Sequence, residues 1–105
     1  MLLDYTKIEK KKFPVKLRDG KTLILTMPQK KTFEKMANME DSAAANGNDV
    51  SVEEMYEVAA EILSNNLQKR RFTAEEVGKM FDIEDLTILY QKYSEFTSGV
   101  KSDPN

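Results

Sequence analysis

Apolar and polar residues alternate over residues 13–27, a pattern typical of two β-strands that each bury one face. The apolar positions of the two runs are Phe13, Val15, Leu17, Leu23, Leu25 and Met27. Between the runs, Asp19-Gly20 marks a turn. A three-residue loop over 18–20, with Gly20 left-handed, places all six apolar side chains on one face, whereas a two-residue loop separates them. We therefore predict a β-hairpin with the three-residue loop, and Ile24 then faces away from this core.

The second half of the chain repeats one helix-start signal three times. In each case a Ser, Thr or Asp residue precedes an acidic residue by three positions, which is typical of an N-terminal helix cap. The pairs are Ser51 and Glu54, Thr73 and Glu76, and Asp82 and Asp85. We predict helices over about 52–66, 74–81 and 83–98, with Gly99 as the cap that ends the last one.

The segment between the hairpin and these helices is less clearly marked. Pro28 suits the first position of a helix, where its missing N–H costs little. We predict a helix over about 28–40, followed by a flexible polar linker over 41–49. The side chains that this helix is expected to bury are Phe33, Met36 and Ala37.

These elements predict an α+β fold in which an N-terminal β-hairpin packs on a small bundle of about four α-helices. The 105 residues have the usual length of one domain, and we place that domain at residues 13–99. Residues 1–12, which include three consecutive lysines, are expected to form a flexible basic arm. Residues 100–105 are expected to form a disordered tail.

The predicted helix 52–66 has an unusually broad apolar side. At about 100° per residue, its apolar positions cover an arc of about 160°. One neighbouring element rarely covers so wide an arc, so we expect part of this surface to remain open for a partner. Four residues are left over once one core is assigned, and we predict that they bind a partner: Ile24, Tyr56, Leu63 and Ile88.

Charge is distributed unevenly along the chain. Residues 1–36 carry a net charge of +6 and residues 37–105 a net charge of −8, which together give the overall −2. This asymmetry favours self-association or an oriented protein partner. No apolar run has the length of a signal peptide or a membrane span, so we expect a cytoplasmic protein without membrane contact.

The residue types argue against an enzyme. The chain has no His and no Cys, which excludes disulfides, the usual zinc sites, and nucleophile–base pairs built on those residues. The acidic group Asp82, Glu84 and Asp85 lacks the spacing of a calcium loop and suits the first turn of a helix instead. We expect no catalytic residue, no cofactor and no metal.

The main alternative is a small nucleic-acid-binding regulator that uses the basic N-terminal half. Lys69-Arg70-Arg71 could contact phosphate, and the two last predicted helices have the length of a helix-turn-helix motif. The second of those helices opens with Asp82, Glu84 and Asp85, however, and a phosphate backbone would repel them. Nucleic acid is therefore the less favoured partner.

Four segments resemble the tail assembly chaperones of long-tailed (siphovirus-type) bacteriophages and prophages of Gram-positive bacteria. They are the hairpin Phe13–Met27 leading into Pro28, then Glu61–Asn66, Phe72–Val77 and Tyr90–Phe96. Together they span most of residues 13–97.

The resemblance implies a role in virion assembly. Proteins of this family are thought to coat the tape measure protein, to keep it soluble and to recruit tail tube subunits. They are absent from the mature virion, and many also exist in a longer frameshifted form. The family offers no catalytic residues to carry over, and its binding residues are not fixed by a motif that this chain matches.

Overall fold

The computed structural model describes residues 1–45, 47 and 50–99. Its elements are strand β1 (Phe13–Lys16), strand β2 (Thr22–Leu25), and helices α1 (Lys30–Ala45), α2 (Val52–Ser64), α3 (Ala74–Met80) and α4 (Ile83–Ser98). In the arm, one 3-10 turn spans Tyr5–Lys7. The predicted α+β fold, with its N-terminal hairpin and about four helices, is confirmed. The predicted tail over 100–105 lies outside the described residues.

The hairpin has the predicted register. Phe13 pairs with Leu25 and Val15 with Leu23 in the antiparallel ladder. The N–H of Leu17 donates to the carbonyl of Lys21 at 2.8 Å, which closes a three-residue loop. Gly20 has a φ of +91°, and this backbone conformation is strained for any residue that carries a side chain. The choice of loop length from hydrophobic patterning was therefore correct.

A segment that follows α2 covers the second edge of β2. The N–H of Thr26 donates to the carbonyl of Asn65, and the N–H of Leu67 donates to the carbonyl of Ile24, both at 2.9 Å. The Gln68 side chain continues the pattern, because it accepts from the N–H of Ile24 and donates to the carbonyl of Thr22. β2 is thus bonded on both sides, whereas no backbone segment among the described residues pairs with the other edge of β1.

The three predicted helix starts are all formed. Ser51 and Thr73 each accept a hydrogen bond from the N–H three residues later. At α4 the bonds are reciprocal: Asp82 accepts from the N–H of Asp85, and Asp85 accepts from the N–H of Asp82. α4 runs from 83 to 98 as predicted and ends at Gly99, whose φ is +70°.

Helix α1 differs from its prediction at both ends. It begins at Lys30, because the N–H of Gln29 is bonded to the Asn65 side chain and the carbonyl of Gln29 accepts the first helical bond. It then continues to Ala45, since the alanines at 43–45 favour a helix. The linker prediction is therefore wrong over 41–45, and residues 46, 48 and 49 lie outside the described residues.

The side of α1 that faces the core is also shifted by one position. Phe33 was expected to be buried and is 59% exposed. Met36 is buried as predicted, and Ala37 is half-buried. Thr32 is buried in place of Phe33; it lies four residues before Met36 and hence on the same side of the helix. The hydroxyl of Thr32 accepts from the Asn65 amide at 2.7 Å, and this bond turns that side of α1 toward α2.

The core is centred on α2. This helix contacts all three other helices and also strand β2. Ile62 and Leu63 have no exposed surface. The expectation that the broad apolar side of α2 leaves surface for a partner is therefore wrong over 58–63, because several elements share the task of covering it. The buried apolar residues are Leu17, Leu23, Leu25, Met36, Val58, Ala59, Ala60, Ile62, Leu63, Phe72, Val77, Leu86 and Tyr93.

Candidate protein-binding groove

An apolar groove of about 250 Å³ lies between β1 and α4. We call it the β1–α4 groove. Phe13 and Val15 line it from the strand, while Ile88 and Leu89 line it from the helix. The groove exists because the hairpin packs on α2 through β2, which leaves β1 beside α4 without close packing between their backbones.

The deepest part of the groove is formed by core residues. Leu63 of α2 and Leu86 of α4 line it, although neither has exposed surface of its own. Phe13, Val15 and Leu89 are partly buried and pack against the core from above. The groove is therefore an apolar depression whose base consists of fully buried core residues and whose walls are partly accessible.

Three aromatic rings stack next to the groove. The ring centroid of Phe13 lies 6.4 Å from that of Tyr93 and 5.4 Å from that of Phe96. The Tyr93 hydroxyl donates to the carbonyl of Thr26 at 2.7 Å, which ties α4 to the end of the hairpin. Burial raises the pKa of the Tyr93 phenol, so the hydroxyl stays protonated and keeps donating.

An ion pair lies at the turn end of the hairpin. The Arg18 guanidinium lies 2.6 Å from a carboxylate oxygen of Asp85. The pKa of Asp85 is lowered, mainly because its carboxylate accepts from the N–H of Asp82, and also because Arg18 is close. Both residues line the groove, and the charge of Arg18 there is already neutralised by its partner.

Two further cations line the groove. Lys16 of β1 and Lys92 of α4 are both exposed. Among the described residues, neither one has an ion-pair partner. The apolar surface thus lies between positive charges, and only Asp85 supplies a carboxylate among the lining residues.

The structure separates the four predicted partner-binding residues. Ile88 is 52% exposed and lines the groove. Leu63 also lines it but is fully buried, so its assignment to the surface is wrong: it belongs to the core beneath the groove. Tyr56 is half-buried, and its hydroxyl donates to the carbonyl of Phe81 at 2.8 Å. Ile24 is half-buried on β2, where the segment after α2 meets it.

Phe13, Val15 and Leu89 line the groove, although the apolar patterns of their strand and helix predict core positions for them. Strand alternation identifies the face on which Phe13 and Val15 lie, but a covered apolar face and a half-covered one have the same pattern. Lys92 could not be identified as a groove residue from the sequence either, because a lysine at an exposed helix position is common. Only the tertiary arrangement brings these residues together.

A second depression is polar. It has a volume of about 390 Å³ and lies where Asn65 joins the start of α1 to the end of α2. Lys31, Lys69 and Arg71 line it, and Glu61 faces Lys31 at 3.7 Å. Asn65 and Asn66 here are structural, because their side chains bond the backbone at the end of α2 and in the loop after it.

Within residues 1–45, 47 and 50–99, no group of three or more acidic, His or Cys residues is placed to hold a metal ion. None of the helices in that part of the chain has the length and apolar character needed to span a membrane. Comparisons with protein-family models, with curated proteins and with solved structures gave no match.

Proposed function

We propose that this protein is a non-enzymatic protein-binding module that acts as a phage tail assembly chaperone. In this role it coats the tape measure protein, helps to recruit tail tube subunits, and works in the cytoplasm of the bacterial host without entering the mature virion. The proposal combines the family resemblance of four sequence segments with the β1–α4 groove. The observation that carries it is the groove, an apolar depression left open beside a packed core.

The size of the groove favours side chains over a small-molecule ligand. Ligand pockets usually measure about 300–1,000 Å³, and the groove, at about 250 Å³, lies below that range. A dry apolar cavity of about 150 Å³ is enough to hold one benzene-sized group. The groove therefore has room for one or two apolar side chains, which is the scale of a protein contact.

The arm supplies a second exposed apolar surface. Leu2, Leu3 and Tyr5 are exposed, and the hydrogen bonds of the 3-10 turn are all made within the arm itself. Contiguous exposed apolar groups often mark interaction sites. Together with the groove they support a protein that works by binding other chains.

Co-expression with the tape measure protein of the same tail gene cluster tests the proposal. We expect the soluble fraction of the tape measure protein to rise when the chain is present, and the two proteins to elute together in size-exclusion chromatography. Ile88→Asp should abolish most of this effect, because a carboxylate would be desolvated at the contact.

Ile83→Asp is the matched control. Ile83 is an exposed isoleucine of the same helix that does not line the groove, so this variant should behave like the unaltered protein. Thermal melts of both variants check that the fold is intact. A tape measure protein that is equally insoluble with and without the chain would contradict the proposed function.

A nucleic-acid-binding regulator is the second candidate, and the polar depression favours it. Lys69 and Arg71 have no ion-pair partner among the described residues. A salt titration separates the candidates, because affinity for nucleic acid falls steeply with salt, whereas an apolar contact responds weakly. Binding of duplex DNA that weakens about a thousandfold between 50 and 200 mM salt would favour this second candidate.

A further inference from the structure

Resting on the proposed function, we propose that the β1–α4 groove binds an amphipathic helix of the partner whose apolar side chains are flanked by carboxylates. Three features of the groove lead to this occupant: the open edge of β1, the charges beside the groove, and its depth. The edge disfavours an added strand, the charges disfavour a basic partner, and the depth suits one or two apolar side chains.

The open edge of β1 is poorly suited to an added strand. Because Leu17 and Lys21 form a hydrogen-bonded pair, the alternation of an antiparallel ladder directs the backbone groups of Pro14 and Lys16 outward. Pro14 has no N–H, so this four-residue strand offers one outward donor, from Lys16. A strand added here would leave one of its own carbonyls without a donor, opposite Pro14.

A helix satisfies its backbone hydrogen bonds internally and needs only side-chain contacts from the groove. Such a helix presents apolar residues at positions i, i+3 or i+4, and i+7 on one side. The apolar floor between β1 and α4, with Leu63 and Leu86 at its base, suits one or two of these side chains.

The charges select the residues that flank the apolar side of the bound helix. Lys16 and Lys92 line the groove without ion-pair partners among the described residues. Asp85 is already paired with Arg18, so the free charges beside the apolar floor are positive. Opposite charges across an interface orient the partner and speed its association, whereas like charges exclude wrong partners. Carboxylates on the bound helix therefore complement this groove.

Two labelled synthetic peptides test the occupant by fluorescence anisotropy. Both carry leucines at i, i+3, i+4 and i+7 in an alanine-rich helix, and they differ only in having Glu or Lys at the flanking positions. We expect the Glu peptide to bind about tenfold more tightly than the Lys peptide at 50 mM salt. A third peptide, the Glu sequence with two central prolines, should bind far more weakly because it cannot form a helix.

A charge reversal on the protein sharpens the test. Lys92→Glu should weaken binding of the Glu peptide about fivefold and strengthen binding of the Lys peptide. Lys30→Glu is the control, because Lys30 is an exposed lysine of α1 that does not line the groove and whose only ion pair among the described residues, with Glu34, is local to that helix. Ile88→Asp should abolish binding of both helical peptides.

The possible results separate this inference from the function on which it rests. Equal affinity for the Glu and Lys peptides, or equal effects of Lys92→Glu and Lys30→Glu, would overturn the charge assignment. Tight binding of the proline peptide would overturn the helical occupant. If the tape measure protein is kept soluble but no peptide binds, the inference fails and the proposed function stands. If the Glu peptide binds as expected but the tape measure protein stays insoluble, the helix-binding groove stands and the proposed function fails.

Discussion

Helices α1 and α4 have the same length, 16 residues each, but are held in place in different ways. α4 begins with a reciprocal pair of bonds between Asp82 and Asp85 and ends at a left-handed Gly99. α1 has no acidic residue in its first turn, whereas α4 has Glu84 and Asp85 there. Its start is held by Asn65, which lies 36 residues away from Gln29 in the chain.

The two helices also differ in how they meet the core. α4 buries Leu86 and Tyr93 completely. α1 buries Thr32 and Met36 and leaves Phe33 in solvent. Lys31 and Lys35 form ion pairs with the partly buried Glu61 of α2, and because both lysine side chains are exposed we expect these pairs to contribute little. The position of α4 is therefore set by its own capping residues and its own apolar side. The position of α1 depends instead on contacts that α2 and the residue after it supply.

The largest expected effect comes from truncating the α4 anchor. Leu86→Ala should lower the free energy of unfolding by about 2–5 kcal/mol, because it leaves a cavity among fully buried residues. Met36→Ala, the corresponding change in α1, should lie at the low end of that range because Met36 keeps some exposed surface. Urea titrations monitored by circular dichroism measure both. Equal losses would show that α1 is anchored as deeply as α4.

Asn65→Ala tests whether α1 depends on its neighbour. The change removes the acceptor for the Gln29 N–H and the donor to the buried Thr32 hydroxyl. We expect a loss of about 2 kcal/mol, with faster hydrogen exchange concentrated in the first turn of α1. Asn38→Ala, an exposed position on α1 itself, is the control and should change little. Unchanged exchange in α1 would contradict its dependence on Asn65.

Asp82→Ala tests the local encoding of α4. Loss of this cap should lower stability by about 1 kcal/mol and speed hydrogen exchange in the first turn of α4 only. Glu84→Ala, in the same turn but without a capping bond, should cost less. If the two variants are equally stable, the reciprocal bonds do not set the start of α4.

The smallest effect concerns acid stability at the start of α4. The pKa of Asp85 is lowered in the folded protein by the N–H of Asp82 and by Arg18. The folded state therefore favours the charged carboxylate, and its contribution is present above the ordinary pKa of about 3.9 and lost as pH falls below it. Asp85→Asn should make the melting temperature less dependent on pH between about 4 and 2, as measured by thermal melts. If the melting temperature of the variant falls with pH as steeply as that of the unaltered protein, Asp85 contributes nothing to stability in this range.

The fold was predictable from sequence where the stabilising contacts join residues that are close in the chain. The caps of α2, α3 and α4 link residues three apart, and Gly20 and Gly99 act within one turn, so each can be recognised locally. The end of α1 could have been found as well, from the alanines at 43–45. Its start could not, because the amide that caps Gln29 belongs to Asn65.

The groove was only partly predictable for the same reason. Ile88 was identified because it lies off the apolar side of its helix, and its role in binding stays a prediction. Leu63 was misassigned because a broad apolar arc does not reveal how many neighbours will cover it. Phe13 and Lys92 are 79 positions apart, and nothing in either local pattern indicates that they line one depression.

The segment 65–68 that borders β2 has a consequence for biogenesis. The hairpin leaves the ribosome before α2 does, but a two-stranded hairpin on its own is only marginally stable in water. The bonds to Asn65, Leu67 and Gln68 that complete it become available after roughly forty more residues have been synthesised. The hairpin therefore gains these bonds only after α2 has been made, and we expect its amide groups to become protected from exchange late in folding of the nascent chain.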